Sequence, residues 1–271
     1  MGGVRAIVLA GNGINCEYET AKACELAGFD KVDIVYIYDL VRGEVSIDDY
    51  HLFCFPGGFL DGDDLGAAKA AANLFQNARI ETTGEPLKDA LMRFIESGKL
   101  VIGICNGFQL IIKLGIVPAL EGYFKQDATL TFNDSGKFED RWVRLKVEDS
   151  PCIFTRGLED LYFPVRHGEG KFYAPPDALD EIERRGLVVL RYADKRTGEP
   201  TQKYPDNPNG SVNAIAGICD PTGRIFGLMP HPEAFLSRLN HPRWTREDLP
   251  DPGLGVVVFR NAYEYLAERF G

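Results

Sequence analysis

The segment from residue 100 to residue 107 constrains the fold of this chain more than any other. Leu100–Ile104 (LVIGI) is an apolar, β-branched run of the kind found in strands buried on both faces of a parallel sheet. Gly103–Gly107 (GICNG) overlaps its end, and helical spacing follows from Phe108 to Lys113. A strand, a glycine-flanked turn and a helix together form the pattern of a nucleophile elbow, here with Cys105 as the candidate nucleophile.

Apolar runs and helical patterns alternate through the first part of the chain, which predicts βαβ units with right-handed crossovers. The predicted strands there are Ala6–Ala10, Val32–Ile37, His51–Phe55 and Leu100–Ile104, and the predicted helices are Glu17–Ala27, Ala67–Ala78, Pro86–Ser97 and Phe108–Lys113. After about residue 125, short strand patterns are separated by clusters of Gly, Pro, Asn and Asp. The predicted strands of this part are Thr129–Phe132, Arg141–Val147, Leu161–Val165, Leu187–Tyr192, Val212–Ile218 and Arg224–Leu228, and a last helix is predicted over Val256–Phe270.

These patterns predict an α/β fold of three layers: a mostly parallel central sheet, helices on both of its faces, and an antiparallel extension. The chain has 271 residues, which is long enough to bury a substantial core as one unit. Neither internal repeats nor a low-complexity linker divides it. We therefore expect a single domain over residues 1–271.

Charge and composition exclude several classes of function. Thirty Lys and Arg residues stand against 40 Asp and Glu, and the formal net charge of −10 predicts no binding to nucleic acid. No apolar run approaches the roughly 20 residues of a membrane helix, so no membrane span is predicted. The six cysteines form no C-x-x-C pair, which argues against a zinc site and a disulfide framework and favours reduced thiols in a cytoplasmic enzyme.

Cys105 is the candidate nucleophile because of its context rather than its residue type. A helix N-terminus beneath the turn favours a negatively charged sulfur and directs backbone N–H groups, including that of Asn106, at a developing oxyanion. The alternative is a chance five-residue match around a buried structural cysteine, since free cysteine is among the most buried residue types.

His231 and Glu233 are the candidate base and its orienting group. A thiolate that attacks an amide needs a proton donor for the leaving ammonia, and that donor is usually an oriented histidine. Pro232 favours an extended backbone at His231, and in an extended segment residues i and i+2 point to the same side. The alternative is a surface loop with two unrelated polar groups. His167, in the segment HGEG, is a second candidate base, although its glycines suggest a mobile binding loop.

Gly57 and Gly58 follow the predicted strand His51–Phe55. A Gly-Gly pair at the carboxyl end of a parallel strand lets backbone amides face the crevice without steric interference. We assign the N–H groups of Gly58 and Asn106 to the oxyanion; a simple turn is the alternative for the glycine pair.

The ordered segments Pro56–Gly58, Gly103–Gln109 and His231–Glu233 resemble the class I, or triad, glutamine amidotransferases, whose glutaminase domain covers nearly this whole chain and is flavodoxin-like. Further segments resemble the glutaminase subunits of phosphoribosylformylglycinamidine synthases. They are Gly57–Phe59, Gly62–Asp63, Arg141–Val143, His167–Gly170, Asn207–Ser211, Ile215–Ile218 and Gly227–Glu233. The loop Leu60–Asp64 is more acidic than is typical of the family, and the segment 239–254 is longer.

The resemblance implies that Cys105 forms a glutamyl thioester, that His231 shuttles the proton and that Glu233 orients it. It also implies that Gly57 and Gln109 contact the substrate glutamine. The expected partners are a large ATP-dependent synthase subunit, which converts formylglycinamide ribonucleotide to its amidine in purine synthesis, and a small bridging subunit. No cofactor or metal is expected in this chain, and because it contains no P-loop, ATP and Mg²⁺ are expected on the synthase. As a hypothesis, Arg141–Trp142 and the His167 loop meet that partner.

Three other functions stay open at this point. A cysteine peptidase or a chaperone-like hydrolase has a similar elbow, although such enzymes usually lack the late His-Pro-Glu segment. A non-catalytic scaffold would be expected to have lost a triad member. A glutaminase for a different acceptor would bind and activate a different synthase.

Overall fold

The computed structural model describes residues 3–271, so Met1 and Gly2, which the predicted domain includes, lie outside the described residues. The strands are β1 (Arg5–Ala10), β2 (Lys31–Tyr36), β3 (Leu52–Phe55), β4 (Leu100–Ile104), β5 (Thr129–Thr131), β6 (Glu139–Val147), β7 (Asp160–His167), β8 (Lys171–Tyr173), β9 (Val188–Ala193), β10 (Ile215–Cys219) and β11 (Ile225–Leu228). The α-helices are α1 (Glu17–Ala27), α2 (Ile37–Arg42), α3 (Lys69–Asn77), α4 (Leu87–Glu96), α5 (Asn106–Lys113), α6 (Pro176–Arg184) and α7 (Leu254–Phe270).

One mixed sheet takes strands from both halves of the chain, in the order β2-β1-β3-β4-β11-β10-β9-β6-β7. The first five strands in that order are parallel to their neighbours. From β11 onwards every pairing is antiparallel. The predicted α/β fold, with a parallel sheet and an antiparallel extension, is therefore confirmed.

The helices flank the sheet on both faces because the chain reverses its direction of travel across it. In the sheet, β2 lies on one side of β1, whereas β3 and then β4 lie on its other side. The β1-α1-β2 and β3-to-β4 crossovers therefore run in opposite directions along the sheet. Because both are right-handed, their helices lie on opposite faces. Helix α1 packs against α7, and helix α3 packs against both α4 and α5. The site described below lies at the carboxyl ends of β3, β4 and β11, which are neighbours in the sheet.

Several local predictions differ from the structure. The predicted strand Val212–Ile218 begins with a 3₁₀ turn at Val212–Ala214, where Asn213 has φ 50°, and becomes a strand only at Ile215. The polar segment 133–137 has the composition of a turn joining the predicted strands Thr129–Phe132 and Arg141–Val147, but no hairpin forms there, because β5 pairs with β8 rather than β6. Helices α2 and α6 and strand β8 were not predicted, since their short patterns are shared with loops.

The helices of residues 3–271 are all too short or too polar to cross a membrane.

Candidate active site

Cys105 lies at the sharp turn between β4 and α5, with φ 51° and ψ −105°. This left-handed backbone conformation is strained for a residue with a side chain, and such strain is typical of a nucleophile elbow. The flanking glycines leave room for the turn. A Cβ on Gly103 would lie 2.7 Å from the carbonyl oxygen of Gly107, and one on Gly107 would lie 1.8 Å from that of Phe55.

Two hydrogen bonds hold the nucleophile between neighbouring strands. The Cys105 N–H donates to the carbonyl oxygen of Leu228 at 2.8 Å, which ties the end of β4 to the end of β11. The Cys105 thiol donates to the carbonyl oxygen of Arg166, with Sγ 3.5 Å away. The side chain is buried and lines a cavity of about 210 Å³, which His231, Glu233 and Gly58 also line.

His231 and Glu233 form a buried pair in which Nδ1 of the imidazole lies 2.5 Å from Oε1 of the carboxylate. Because an ionised carboxylate only accepts hydrogen bonds, Nδ1–H is the donor. The predicted geometry was partly wrong: His231 is extended, but Glu233 lies in a 3₁₀ turn, Pro232–Ala234. The turn brings the carboxylate back to the ring, and the His231 N–H donates to the carbonyl oxygen of Pro164 at 2.8 Å.

The charges around His231 favour its protonated form. Burial alone would lower the pKa of His231, but the Glu233 carboxylate and the neighbouring Cys105 and Cys16 thiols hold the pKa well above its ordinary value. Within residues 3–271, Nε2 of the ring and Oε2 of Glu233 are buried without a hydrogen-bond partner. The triad therefore presents an unpaired ring nitrogen towards the cavity that Cys105 lines.

The backbone around Gly58 leaves one amide available to the cavity. Gly58 faces Ile14 in an isolated antiparallel bridge whose hydrogen bonds run from Asn15 N–H to Gly57 O and from Phe59 N–H to Gly13 O. Neither bond uses the Gly58 N–H. With φ 145°, a Cβ on Gly58 would lie 2.5 Å from the Gly13 carbonyl oxygen, so only glycine fits.

Asn106 is the first residue of α5, and an amide in the first turn of a helix has no acceptor within that helix. Its buried side chain fixes the surrounding loops. Oδ1 accepts from the Leu60 N–H at 3.1 Å, and Nδ2 donates to Oε1 of Gln109 at 3.0 Å. Gly58 lines the cavity with Cys105, and Asn106 directly follows Cys105 in the chain; that their two amides bind the oxyanion stays a prediction.

Gln109 and Gly57 lie behind the cavity rather than on its surface. Gln109 accepts from Asn106 and donates through Nε2 to the Glu169 carbonyl oxygen at 2.6 Å. Both polar ends of its side chain are thus engaged by the protein. A Cβ on Gly57 would lie 2.8 Å from Cε1 of His231, so this glycine makes room for the imidazole. Direct contact of either residue with a substrate stays a prediction.

His167 is a buried structural histidine at the end of β7 rather than part of an open, mobile loop. Its Nδ1 lies 3.1 Å from Oδ1 of Asn133, and its Nε2 lies 3.4 Å from Nδ2 of Asn209. Burial, together with the charge of His231, lowers the pKa of His167 to about 3. The ring is therefore neutral at physiological pH and does not line the cavity.

Sequence patterns did not identify several residues that line the cavity. Those residues are Asn15, Cys16, Glu19, Phe59, Phe138, Arg166 and Ala234. Cys16 precedes α1, and one ligand atom each of Cys16, His231 and Glu233 lies within 4.8 Å of the others. In the described part of the chain, these three side chains have ligand atoms close enough together to share a metal ion. No local motif surrounds Cys16, so only tertiary structure reveals its position.

The arrangement combines a strained cysteine, a histidine oriented by a carboxylate, and a Gly58 amide that the neighbouring bridge leaves unused. It fits nucleophilic attack on a carbonyl carbon, with proton transfer by His231 and charge stabilisation by backbone amides.

Comparison with known families gives a match over nearly the whole chain. A sequence model described as the CobB/CobQ-like glutamine amidotransferase domain matches residues 3–266.

Individual proteins show the same extent of similarity. The phosphoribosylformylglycinamidine synthase subunit PurQ of Methanococcus maripaludis strain C5 is 41% identical over 274 residues, with coverage of 97% of this chain and 98% of the relative. The subunit of the same name from Dehalococcoides mccartyi is 43% identical over 271 residues, with coverage of 99% of this chain and 100% of the relative. A chain in the solved structure of PurLQS from Thermotoga maritima is 30% identical with a TM-score of 0.71, covering 98% of this chain and 100% of that one.

Proposed function

The chain belongs to the CobB/CobQ-like glutamine amidotransferase domain family, and on that premise we propose that it is the glutaminase subunit of a phosphoribosylformylglycinamidine synthase. It hydrolyses glutamine and supplies ammonia for conversion of formylglycinamide ribonucleotide to the amidine in purine biosynthesis. The observation that carries the proposal is the meeting of Cys105, His231 and Gly58 in one cavity, at the carboxyl ends of three neighbouring strands.

The proposed reaction has two halves. Cys105 attacks the side-chain amide carbon of glutamine as the thiolate, its proton being held by His231; the Gly58 and Asn106 N–H groups stabilise the oxyanion, and the C–N bond breaks. His231 donates its proton to the leaving ammonia, and a glutamyl thioester remains on Cys105. In the second half, neutral His231 takes a proton from water as the water attacks the thioester, which releases glutamate and the thiolate.

Glu233 supports both halves by holding the ring in place. Its hydrogen bond to Nδ1–H fixes the tautomer and turns Nε2 towards the reacting atoms. It also stabilises the imidazolium that precedes proton donation. No metal or cofactor is needed for these steps, and we propose that ATP and Mg²⁺ act on the partner subunit.

The proposed assembly follows from the relatives. The Thermotoga maritima structure is of PurLQS, and we propose that this chain likewise works with a large ATP-dependent synthase subunit and a small bridging subunit. We also propose a cytoplasmic location, because the six cysteines are free in the described part of the chain and free thiols are typical of reducing compartments.

The synthase contact suggested for Trp142 stays a prediction, because the side chain is half-buried within the chain. Its ring packs against Phe235 and His241 at centroid distances of 5.6 and 5.3 Å. Three exposed phenylalanines, Phe59, Phe132 and Phe138, instead form an aromatic rim beside the cavity: the first and last line the cavity, and all three line the adjoining depression. Ammonia must pass to the synthase without loss to water, so we propose that the synthase covers this rim.

The decisive experiment reconstitutes the complex with its synthase and bridging subunits and compares two nitrogen sources. We expect Cys105→Ala to abolish amidine formation from glutamine and to leave formation from added ammonium unchanged. Cys152→Ala is the matched control, because Cys152 is buried outside the cavity and its variant should use both sources. Glutamine-dependent activity in the Cys105→Ala complex would refute the assignment.

A second measurement identifies the nucleophile directly. A glutamine-analogue electrophile should label Cys105 once per chain, as located by peptide mass spectrometry. Cys16 lines the same cavity, so it is the thiol most able to compete for the label. Labelling mainly on Cys16 would show that Cys105 is not the nucleophile.

A further inference from the structure

A second thiol lies beside the catalytic imidazole. Cys16 lines the same cavity as Cys105, and Cys16 Sγ, a ring nitrogen of His231 and a carboxylate oxygen of Glu233 lie within 4.8 Å of one another. A Cβ on Gly57 would lie 2.8 Å from Cε1 of His231 and 3.1 Å from Sγ of Cys16. The bare backbone of Gly57 therefore lets a thiol and the imidazole pack together, although glutamine hydrolysis requires only one thiol.

The imidazole has the arrangement of a metal ligand. Its Nδ1 is hydrogen-bonded to Oε1 of Glu233. The other ring nitrogen, Nε2, is buried and has no hydrogen-bond partner in residues 3–271. Histidines that bind zinc commonly donate their other ring N–H to a carboxylate, which fixes the tautomer and increases the basicity of the ligating nitrogen. Glu233 already occupies that outer position.

We propose that Cys16 and His231, whose ligand atoms lie within 4.8 Å of each other, form together with Cys105 of the same cavity an inhibitory site for a thiophilic divalent cation such as Zn²⁺ or Cd²⁺. Thiolate sulfur and imidazole nitrogen are the ligands these cations prefer, and two thiols with one imidazole leave a fourth position for water. Binding displaces to solvent the Nε2 proton of His231 and any proton on the two sulfurs, and it involves no change of oxidation state.

The bound cation blocks the reaction through the groups it occupies. It takes the Nε2 lone pair that His231 needs for proton transfer and the sulfur electrons that Cys105 needs for attack. This inhibition, unlike the binding itself, rests on the proposed glutaminase function. Mg²⁺ and Ca²⁺ prefer oxygen ligands and should not bind at this site.

Cadmium titration of the purified chain tests the binding without reference to activity. Cadmium thiolates have an ultraviolet charge-transfer absorption, so we expect a band that saturates at one Cd²⁺ per chain and is absent with Mg²⁺. Cys16→Ser should weaken Cd²⁺ binding at least about tenfold, the scale on which even outer-sphere changes affect metal affinity. Cys16→Ala, checked by circular dichroism, serves if the serine variant does not fold.

The matched control is Cys54→Ala. Cys24 and Cys54 form another pair of neighbouring thiols, with their sulfurs 3.8 Å apart, but both are fully buried and neither lines the cavity that contains His231. This variant should bind Cd²⁺ as the wild type does. Wild-type affinity in both Cys16 variants, or loss of the band in Cys54→Ala, would overturn the proposed site.

Inhibition is then measured on the assembled complex as glutamine hydrolysis at increasing Zn²⁺. The Zn²⁺ concentration for half inhibition, relative to each protein's own uninhibited rate, should rise at least about tenfold in Cys16→Ser. If the protein binds Cd²⁺ through Cys16 but the complex does not hydrolyse glutamine, the metal site stands and the proposed function is refuted. A chain that hydrolyses glutamine without the cadmium band would refute the metal site alone.

Discussion

Gly57 faces the imidazole of His231 so closely that an added Cβ would lie 2.8 Å from Cε1. Its backbone is not in the left-handed region, so the requirement for glycine comes from space and not from conformation. The position is therefore a sensitive probe of how tightly the imidazole is held.

We expect Gly57→Ala to displace the ring and lower the rate of glutamine hydrolysis about 10- to 100-fold, since a misplacement of about 1 Å has effects of that size. Steady-state kinetics of the complex would measure it. Gly168→Ala is the matched control, because a Cβ there meets no atom within 4 Å and the backbone is again ordinary. Equal rates for the two variants would contradict the tight packing at Gly57.

Glu233→Gln should preserve the shape of the triad and remove its charge. The amide cannot stabilise the imidazolium, so we expect kcat to fall about 10³-fold with little change in KM. The carboxylate raises the pKa of His231, so its loss should lower that pKa. The alkaline fall in the remaining activity should therefore begin at a lower pH than in the wild type. A pH–rate profile with an unmoved alkaline limb would show that Glu233 does not set the protonation of His231.

The backbone of Cys105 makes a prediction about stability. With φ 51° and ψ −105°, the turn is strained for any residue that carries a Cβ. Although both variants are inactive, Cys105→Gly should be more stable than Cys105→Ala by about 1 kcal/mol. Urea unfolding of the two variants measures the difference, and a more stable alanine variant would mean that the elbow is not strained.

Local sequence was sufficient wherever the structure depends on neighbouring residues. The bounds of Glu17–Ala27 and Leu100–Ile104 were predicted without error, because each is a continuous pattern closed by a glycine or a turn. The glycines around Cys105 are explained by close backbone contacts, as the elbow pattern requires.

Tertiary contacts decided what sequence did not predict. His231 meets Glu233 through a 3₁₀ turn and not along an extended strand. Gln109 donates to the Glu169 carbonyl oxygen, a partner 60 residues away, so its pattern gave no sign that its amide is occupied. Cys16 reaches His231 only because the loop before α1 hydrogen-bonds to the Gly57 carbonyl oxygen.

The aromatic rim predicts how the partner docks. Phe132 lies outside the cavity and is 69% exposed, so Phe132→Ser should leave glutamine hydrolysis by the isolated chain unchanged. It should lower the affinity for the synthase, because aromatic side chains contribute strongly at interface centres. Binding measured by calorimetry, with exposed Leu239→Ser as the control, tests this. If the Phe132→Ser and Leu239→Ser variants bound the synthase with equal affinity, the synthase would not contact the aromatic rim at Phe132.

His167 makes the protein sensitive to acid, and the sign of the effect follows from its pKa. Burial lowers the pKa of His167 to about 3, whereas an unfolded histidine titrates near 6.5. The stability that comes from keeping the ring neutral is present above pH 6.5 and is lost as the pH falls towards 3. His231 has the opposite shift, so its contribution is present in full below pH 6.5 and is not lost in this range.

His167→Gln removes this titration while keeping a side chain that donates to Asn133. Because one pKa unit corresponds to about 1.4 kcal/mol, the wild type should lose about 2 to 3 kcal/mol more unfolding free energy than the variant between pH 6.5 and pH 4.5. Carboxylates titrate equally in both proteins, so the comparison isolates the histidine. Urea unfolding at several pH values measures the two slopes. If the unfolding free energies of the two proteins changed with pH by the same amount, the buried ring would accept a proton in the folded protein. The hydrogen bonds around Asn133 and Asn209 would then rearrange to accommodate the charged ring.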